Sequence, residues 1–171
     1  MEEEEKYGID IDNAHQRAIE LIPEEFFWSC IDELAPFGSD EGDTALAEFR
    51  NWRKENPATP IFECLKWVIE SVGEMEFTDY NSEMLSRAKM KSQLEDEDFD
   101  DQQYIYTLDN SVIATGFAQL VDEGIIDADN KKIIQLAIDR QIIWAELSEN
   151  WEHSKEYISN LKILDRALKA A

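Results

Sequence analysis

The sequence has few of the residues from which catalytic and metal sites are built. Of its 171 residues, only two are histidines and two are cysteines. His15 and His153 lie far apart in the chain and neither belongs to a His-Glu-x-x-His pattern, so no zinc site is expected. A Gly-x-Ser-x-Gly motif, a cysteine-nucleophile signature and a Gly-rich phosphate loop are also missing. The sequence therefore predicts no enzyme, no metal and no cofactor.

Long apolar runs and a leader segment are lacking as well. The first residues, MEEEEKYG, have neither the basic nor the apolar region of a signal peptide, and no apolar run reaches the roughly 18 residues of a membrane span. We therefore expect a cytoplasmic protein that does not enter a membrane. In such a reducing compartment, Cys30 and Cys64 are expected to be two small buried apolar side chains rather than a disulfide.

Basic residues are scarce. The chain has 16 lysines and arginines against 39 acidic residues, which gives a net charge of −23. A field of this sign repels nucleic acid and anionic membranes and accelerates encounter with a basic protein. We therefore predict a basic protein partner and no direct contact with nucleic acid, although the acidity could equally serve solubility alone.

Calcium is not predicted despite the many acids. The loops at residues 40–43 and 127–129 lack the spaced acidic ligands of an EF-hand and the glutamate at its twelfth position. Helix capping by Asp43 and Asp129 explains these carboxylates more simply.

Apolar residues recur at three- and four-residue spacings along most of the chain, which indicates amphipathic helices. Helices are predicted over residues 12–22, 44–55, 60–73, 82–94, 109–124, 129–145 and 148–168. Residues 23–34 form either a further short helix or a strand. Because the segments at 23–34 and 82–94 are the weakest, we predict one all-α domain of six to seven helices spanning residues 1–171.

Three features of this predicted bundle are specific. Its last three helices are joined by short turns and should form an antiparallel unit. Residues 1–8 should be a frayed acidic tail. Residues 102–108 contain Tyr104, Ile105 and Tyr106, a β-like composition that is too isolated for a sheet, and are expected to be an extended segment leading into the helix capped by Asp109.

Aromatic, turn and acidic residues are concentrated between residues 26 and 52. Phe26, Phe27 and Trp28 must be covered, since burying each contributes about 2 kcal/mol or more. A Pro-Phe-Gly turn and an acidic loop follow, and Asp43 is expected to cap the next helix. Trp67 lies off the apolar stripe of its helix, so it is a candidate for exposure together with Trp52.

Two acidic loops, at residues 40–43 and 95–101, are the predicted contact surface for a partner. Six acids in the second loop surround a single aromatic residue, and charges this dense favour a solvated loop. Phe37 and Phe99 are the expected apolar anchors. The predicted partner-binding residues are Phe37, Asp40, Glu41, Asp43, Glu95, Asp96, Glu97, Asp98, Phe99, Asp100 and Asp101.

The block FFWSCIDELAPFGSDEGDTALAEFRNWRKENPATPI resembles the YfeS-like group of small bacterial proteins, in which an aromatic run leads to an Ala-Pro-Phe-Gly-Ser-Asp-Glu-Gly segment. The region from residue 137 to residue 168 is similar to the helical tail of a related domain of unknown function. The resemblance implies a bacterial cytosolic domain without an established activity, of a kind associated with toxin and immunity gene sets. It assigns no catalytic residue to this chain.

The charge, the lack of a catalytic motif and the resemblance favour a protein-binding module. The specific hypothesis is an immunity protein or inhibitor that blocks a basic effector, such as a nuclease toxin. One alternative is an acidic regulatory or structural protein that forms a homodimer through its C-terminal helices. Another is an enzyme of unrecognised type in which His15 or His153 meets Cys30 or several carboxylates.

Overall fold

Seven α-helices account for most of the described structure, with short 3₁₀ segments in several of the connections. The computed structural model describes residues 7–148 and 150–171. Its α-helices are α1 (Gln16–Leu21), α2 (Asp40–Glu55), α3 (Ile61–Gly73), α4 (Arg87–Glu95), α5 (Leu108–Glu123), α6 (Lys131–Leu147) and α7 (Ser154–Ala170). Over these described ranges no strand is present, so the predicted all-α class is confirmed.

Helix α5 is the centre of the molecule, and every residue from 108 to 121 is buried. Helices α2, α3 and α6 pack around it. Its side chains are apolar on several faces, as expected of a helix surrounded by others. Where α5 meets α6, a Cβ on Gly116 would lie 2.3 Å from Cδ1 of Ile134, so the small residue permits the close approach of the two helices.

The last three helices form the predicted antiparallel unit. Gly116 in the middle of α5 faces Ile134 in the first turn of α6, while Asp109 at the start of α5 binds Arg140, which lies further along α6. Helix α7 is antiparallel to α6. Its early residue Tyr157 binds Gln141, and its later residue Asp165 binds Gln135, which lies earlier in α6. Helix α6 therefore lies between α5 and α7 with both neighbours antiparallel to it.

The aromatic block is not the helix or strand expected for residues 23–34. It forms one short 3₁₀ turn, Glu25–Trp28, followed by irregular turns. Phe27 is fully buried and packs edge to face against Phe37 and Phe117, with ring centroids 5.4 and 5.9 Å apart. Trp28 is half-buried, and its indole N–H donates to the Ile22 carbonyl at 2.8 Å.

The prediction of two buried cysteines is only half right. Cys64 is buried, but Cys30 is exposed, and both are free thiols. The neighbouring Ile31 is 84% exposed, because the chain after Trp28 turns without continuing the apolar stripe of a helix.

The two thiols should therefore differ sharply in reactivity. Burial, reinforced by Glu48 and opposed by Arg53, raises the pKa of Cys64 to about 12, and only the thiolate is nucleophilic. At pH 8 we expect one thiol of the native protein to react with a disulfide reagent such as DTNB and two to react in denaturant. The variant Cys30→Ser should show no rapid native reaction, and two rapid native equivalents would contradict the burial of Cys64.

The segment expected to be an acidic loop is the first turn of α2. Ser39, rather than Asp43, caps this helix, with its hydroxyl oxygen accepting from the Gly42 N–H at 3.1 Å. Asp40, Glu41 and Asp43 lie in the first turn, where carboxylates interact favourably with the helix dipole.

Several other helix ends differ from the expectations. Helix α1 begins four residues later than predicted, and His15 caps it by accepting from the Arg17 N–H. Asp129 makes no capping hydrogen bond at the start of α6. Glu74, with φ of 49°, ends α3 in place of the expected Gly73.

Residues 102–107 are not extended. They form a π-helix, Gln102–Thr107, that runs directly into α5. The predicted frayed tail at residues 1–8 lies outside the described residues except for Tyr7 and Gly8, and the Gly8 carbonyl accepts from Arg50 at 2.8 Å. Among the described residues, no helix has the length and apolar character required to cross a bilayer.

Candidate functional site: an acid-rimmed cleft on α2, α3 and the π-helix

A cleft of about 310 Å³ lies between α2 and α3 beside the start of α5. One of its walls is α2, another is α3, and its end is formed by the π-helix and the first turn of α5. We call it the acid-rimmed cleft. It is lined by Asp40, Glu41, Thr44, Ala45, Glu48, Val68, Val72, Gln103, Thr107 and Ser111.

The α2 wall follows from simple helix geometry. Glu41, Thr44 and Glu48 are spaced by three and four residues, which places them along one face of the helix. Ala45 lies on the same face and is buried, while Val68 and Val72 come from one face of α3. The cleft thus has an apolar floor and a rim of three carboxylates, those of Asp40, Glu41 and Glu48, which we call the rim carboxylates.

No cationic side chain of the described residues pairs with the rim carboxylates. None of them makes an ion pair or accepts a side-chain hydrogen bond from another described residue. Every arginine in the chain is engaged elsewhere. The arginine acceptors are the Gly124 and Ala170 carbonyls for Arg17, Asp122 for Arg50, Glu123 for Arg53, Glu146 for Arg87, Asp109 for Arg140 and Glu24 for Arg166.

Two groups beside the cleft respond to this negative charge. Burial, with a smaller contribution from Glu41 and Glu33, raises the pKa of the Tyr106 hydroxyl to about 12. On the other side, Glu48 adds to the effect of burial on the Cys64 thiol. In both cases nearby carboxylates raise the pKa in the same direction as burial, and at Cys64 Arg53 opposes them.

The π-helix that closes the cleft is held by side chains from neighbouring elements. Where a π-helix joins an α-helix the register of backbone bonding changes, and carbonyls there can accept additional bonds from side chains. Arg140 donates to the Tyr104 carbonyl at 2.8 Å, and Gln141 donates to the Ile105 carbonyl at 3.0 Å. The side chain of Asn110 donates to the next carbonyl, that of Tyr106, at 2.8 Å.

The same side chains belong to a buried polar cluster behind the cleft. Asp109 is fully buried and accepts two bonds from the Arg140 guanidinium, at 2.7 and 2.9 Å. It also accepts from the Tyr80 hydroxyl at 2.8 Å and from the Gln141 amide at 2.9 Å. The Tyr157 hydroxyl completes the cluster by donating to Gln141 at 2.7 Å. Asp109 is thus the centre of a buried network, not the helix cap that the sequence predicted.

Burial and charge act in opposite directions on this pair. Burial raises the pKa of the Asp109 carboxyl, whereas Arg140 and the bonds from Gln141 and Tyr80 lower it. Burial lowers the pKa of Arg140, but the Asp109 carboxylate more than reverses that shift, so Arg140 stays charged. Because each oxygen of Asp109 has two donors, the pair is a fully satisfied structural element and has no free group for catalysis.

Of the predicted contact residues near α2, two line the cleft and one lies inside the protein. Asp40 and Glu41 are on the rim, and Asp43 is exposed nearby in the same turn. Phe37 is only 1% exposed because it packs against Phe27. The Phe37 ring is therefore not exposed at the surface, where the sequence predicted an apolar anchor for a partner.

The second predicted acidic segment is exposed but separate from the cleft. Glu95 ends α4, and Asp96, Glu97, Asp98 and Asp100 are exposed in the turn that follows. Phe99 is half-buried with its ring 6.1 Å from that of Tyr104. Asp101 is also half-buried and accepts from the Trp144 indole at 3.2 Å. No residue from 95 to 101 lines the cleft.

Sequence reasoning missed Glu48, Thr44 and the apolar floor of the cleft. Glu48 lies seven residues after Glu41, a helical spacing that would have identified it once residues 40–43 were known to be helical. Val68 and Val72 have the pattern of ordinary core residues, so no sequence signal sets them apart. Trp67 is 45% exposed, in agreement with its position off the apolar stripe, whereas Trp52 is half-buried.

The residues required by the enzyme hypothesis are scattered. His15 caps α1, and His153 lies 3.2 Å from Glu152 at the start of α7. Neither histidine bonds to a cysteine within the described ranges, and no cluster of three or more histidine, cysteine or acidic side chains there is arranged to hold a metal ion. The enzyme hypothesis therefore stays a prediction.

Comparison with known proteins finds one similarity over most of the chain. The chain is 25% identical over 165 residues to an uncharacterised protein named YfeS from Escherichia coli strain K12. The alignment covers 95% of this chain and 64% of that protein, so the chain spans less than two thirds of the length of the curated relative it matches. The resemblance to YfeS-like proteins is confirmed at this level. No family model and no solved structure matches the chain.

Proposed function

We propose that this protein is a non-enzymatic binding module that acts in the cytoplasm as an immunity protein or inhibitor. Its acidic surface would bind a basic effector, for example a nuclease toxin, and occlude it. The observation that carries the proposal is a group of surface carboxylates, at the rim of the cleft and over residues 95–98, that form no ion pair with another described residue.

The distribution of arginines supports this proposal. The arginines bind acceptors within the fold. Most of these acceptors are carboxylates on α5 and α6, and one is the carboxylate of Glu24. The surplus of acids therefore remains at the surface. Such a surface steers a basic partner to encounter at rates well above those of a neutral pair, and it disfavours acidic competitors. Inhibition would then follow from covering the basic surface of the effector.

Capture of the partner tests the proposal. A tagged form of the protein, incubated with a lysate of the source organism at low salt, should retain one basic protein that mass spectrometry identifies. That protein should elute as the salt concentration rises, because ionic screening weakens attraction between exposed charges. A bait that retains nothing, or only a second copy of itself, would contradict the proposal.

The capture needs a control that separates position from total charge. One variant carries Glu95→Gln, Asp96→Asn, Glu97→Gln and Asp98→Asn, and a matched variant loses four exposed acids elsewhere, at Glu20, Glu63, Glu76 and Glu83. The two variants have the same net charge. We expect the first to retain less partner than the second.

The homodimer alternative stays a prediction and has less support. A stable dimer interface requires a sizeable apolar area. Within the described ranges the exposed large apolar side chains are Tyr7, Ile11, Ile31, Trp67 and Ile125. None of these lies on α6 or α7, the helices through which self-association was expected.

A further inference from the structure

The acid-rimmed cleft combines features that select one kind of occupant. Its volume of about 310 Å³ lies near the lower end of the range for ligand pockets. An α-helix, which is about 10 Å across with its side chains, would not enter such a space. The cleft is therefore suited to individual side chains that project from a partner.

The chemistry of the cleft requires these side chains to be both apolar and cationic. A fully hydrated ion would not cover the apolar floor formed by Ala45, Val68 and Val72. A purely apolar group would instead remove water from the rim carboxylates without replacing its hydrogen bonds. Arginine and lysine satisfy both demands, because their aliphatic stems cover apolar surface while the charged ends stay at the rim. Arginine is the better match since its guanidinium is weakly hydrated and binds carboxylates through two N–H groups.

The spacing of the rim carboxylates indicates two cations rather than one. Glu41 and Glu48 are seven residues apart in α2, which is about 10 Å along the helix axis. One guanidinium cannot reach both ends. Two arginines that flank a single residue in an extended segment project from the same side, with Cα atoms about 7 Å apart. Their long side chains can diverge to span the remaining distance between the two carboxylates.

We propose that the acid-rimmed cleft binds an extended Arg-x-Arg segment of a basic protein partner. One guanidinium binds at Asp40 and Glu41, and the other binds at Glu48. The two aliphatic stems cover the apolar floor between α2 and α3. This inference rests on the proposed function, which it deepens by naming the place of contact and the pattern that the partner presents.

A peptide titration followed by NMR tests the inference on the full chain. The probe is acetyl-Ser-Arg-Ala-Arg-Ser-amide, and acetyl-Ser-Gln-Ala-Gln-Ser-amide is the uncharged control. At low salt, the arginine peptide should shift the methyl signals of Ala45, Val68 and Val72 most strongly, and the glutamine peptide should leave them unchanged. Shifts centred on residues 95–101, or no shifts at all, would overturn the inference.

Matched variants separate the cleft from the general field of the protein. Glu41→Gln combined with Glu48→Gln should raise the Kd of the arginine peptide about fivefold, since two partly exposed ion pairs are lost. Glu20→Gln combined with Glu83→Gln removes the same charge from exposed positions outside the cleft and should change the Kd less than about twofold. Equal weakening by both pairs would contradict a specific site.

A third variant blocks the cleft without changing its charge. Thr44 is exposed on the α2 wall, so Thr44→Trp should fold normally, fill the opening and abolish the shifts at Val68 and Val72. Spermidine serves as a competing probe. If spermidine shifts the same methyl signals and binds more tightly than the peptide, the occupant of the cleft is a polyamine and the Arg-x-Arg inference is wrong. Capture of a basic partner by a protein whose cleft fails these tests would leave the proposed function intact and reject only this site.

Discussion

Replacing Asp109 by alanine is expected to lower the free energy of unfolding by about 3–5 kcal/mol, because it leaves the Arg140 guanidinium buried without its counter-ion. Arg140 is almost fully buried, and the Tyr80 hydroxyl and the Gln141 amide would lose the same acceptor. Urea unfolding at pH 7, followed by circular dichroism, measures the change.

Two further variants make this prediction sharp. Glu146→Ala removes an ion pair of α6 with Arg87 that is about half exposed, and it should cost less than about 1 kcal/mol. Asp109→Leu combined with Arg140→Met removes both charges and should recover much of the loss, since no uncompensated charge remains. A cost for Asp109→Ala as small as that for Glu146→Ala would show that the buried pair does not hold α5 to α6.

Replacing Gly42 by alanine is expected to destabilise the protein by about 2–4 kcal/mol, combining an overpacking penalty with the loss of a helix cap. A Cβ at this position would lie 1.6 Å from the carbonyl oxygen of Pro36 and 3.1 Å from the hydroxyl oxygen of Ser39. The obstacle is backbone, so it cannot move away by a change of rotamer. Relieving the clash requires the turn at Pro36 to separate from α2.

The matched control reverses the exchange at an exposed position of the same helix. Ala47→Gly should cost about 1 kcal/mol, which is the difference in helix propensity between the two residues. If propensity alone acted at position 42, Gly42→Ala would stabilise the protein by a similar amount. A stabilised Gly42→Ala variant would therefore contradict the close contact between the turn and α2.

The sequence predicted the helices well wherever apolar spacing was long and regular. In α3, α6 and α7 the spacing sets both the helix and its buried face, so the bundle and its antiparallel C-terminal unit followed directly. The prediction failed at residues 102–107, whose Tyr104, Ile105 and Tyr106 favour strands by composition. In the structure their backbone carbonyls accept bonds from the side chains of Arg140, Gln141 and Asn110. Arg140 and Gln141 are remote in the sequence, so their contribution could not be predicted from it.

Asp109 illustrates a second limit of sequence reasoning. An aspartate before an apolar run is usually a helix cap, and that was the prediction. The signal for its buried role was Arg140, a charged residue in the otherwise apolar stretch of α6, but the two are 31 residues apart. Only the antiparallel packing of α5 and α6 places them in contact.

The candidate site was predicted in part. The charge pattern identified Asp40 and Glu41, and both lie on the rim of the cleft. The sequence also predicted Phe37 as an apolar anchor for a partner. In the fold this ring is buried and packs against Phe27. The apolar floor is formed by α2 and α3 together, so it could not be recognised from either helix alone.

In the proposed function, exposed carboxylates attract and hold a basic protein. The most direct test is the association rate constant of the captured partner, measured by stopped flow over a series of salt concentrations for the native chain and for the variant neutralised at Glu95, Asp96, Glu97 and Asp98. We predict that association of the native chain slows steeply with salt and that the variant associates more slowly at low salt, with the two rates converging at high salt. An association rate that is insensitive to salt and identical in the two proteins would contradict the account.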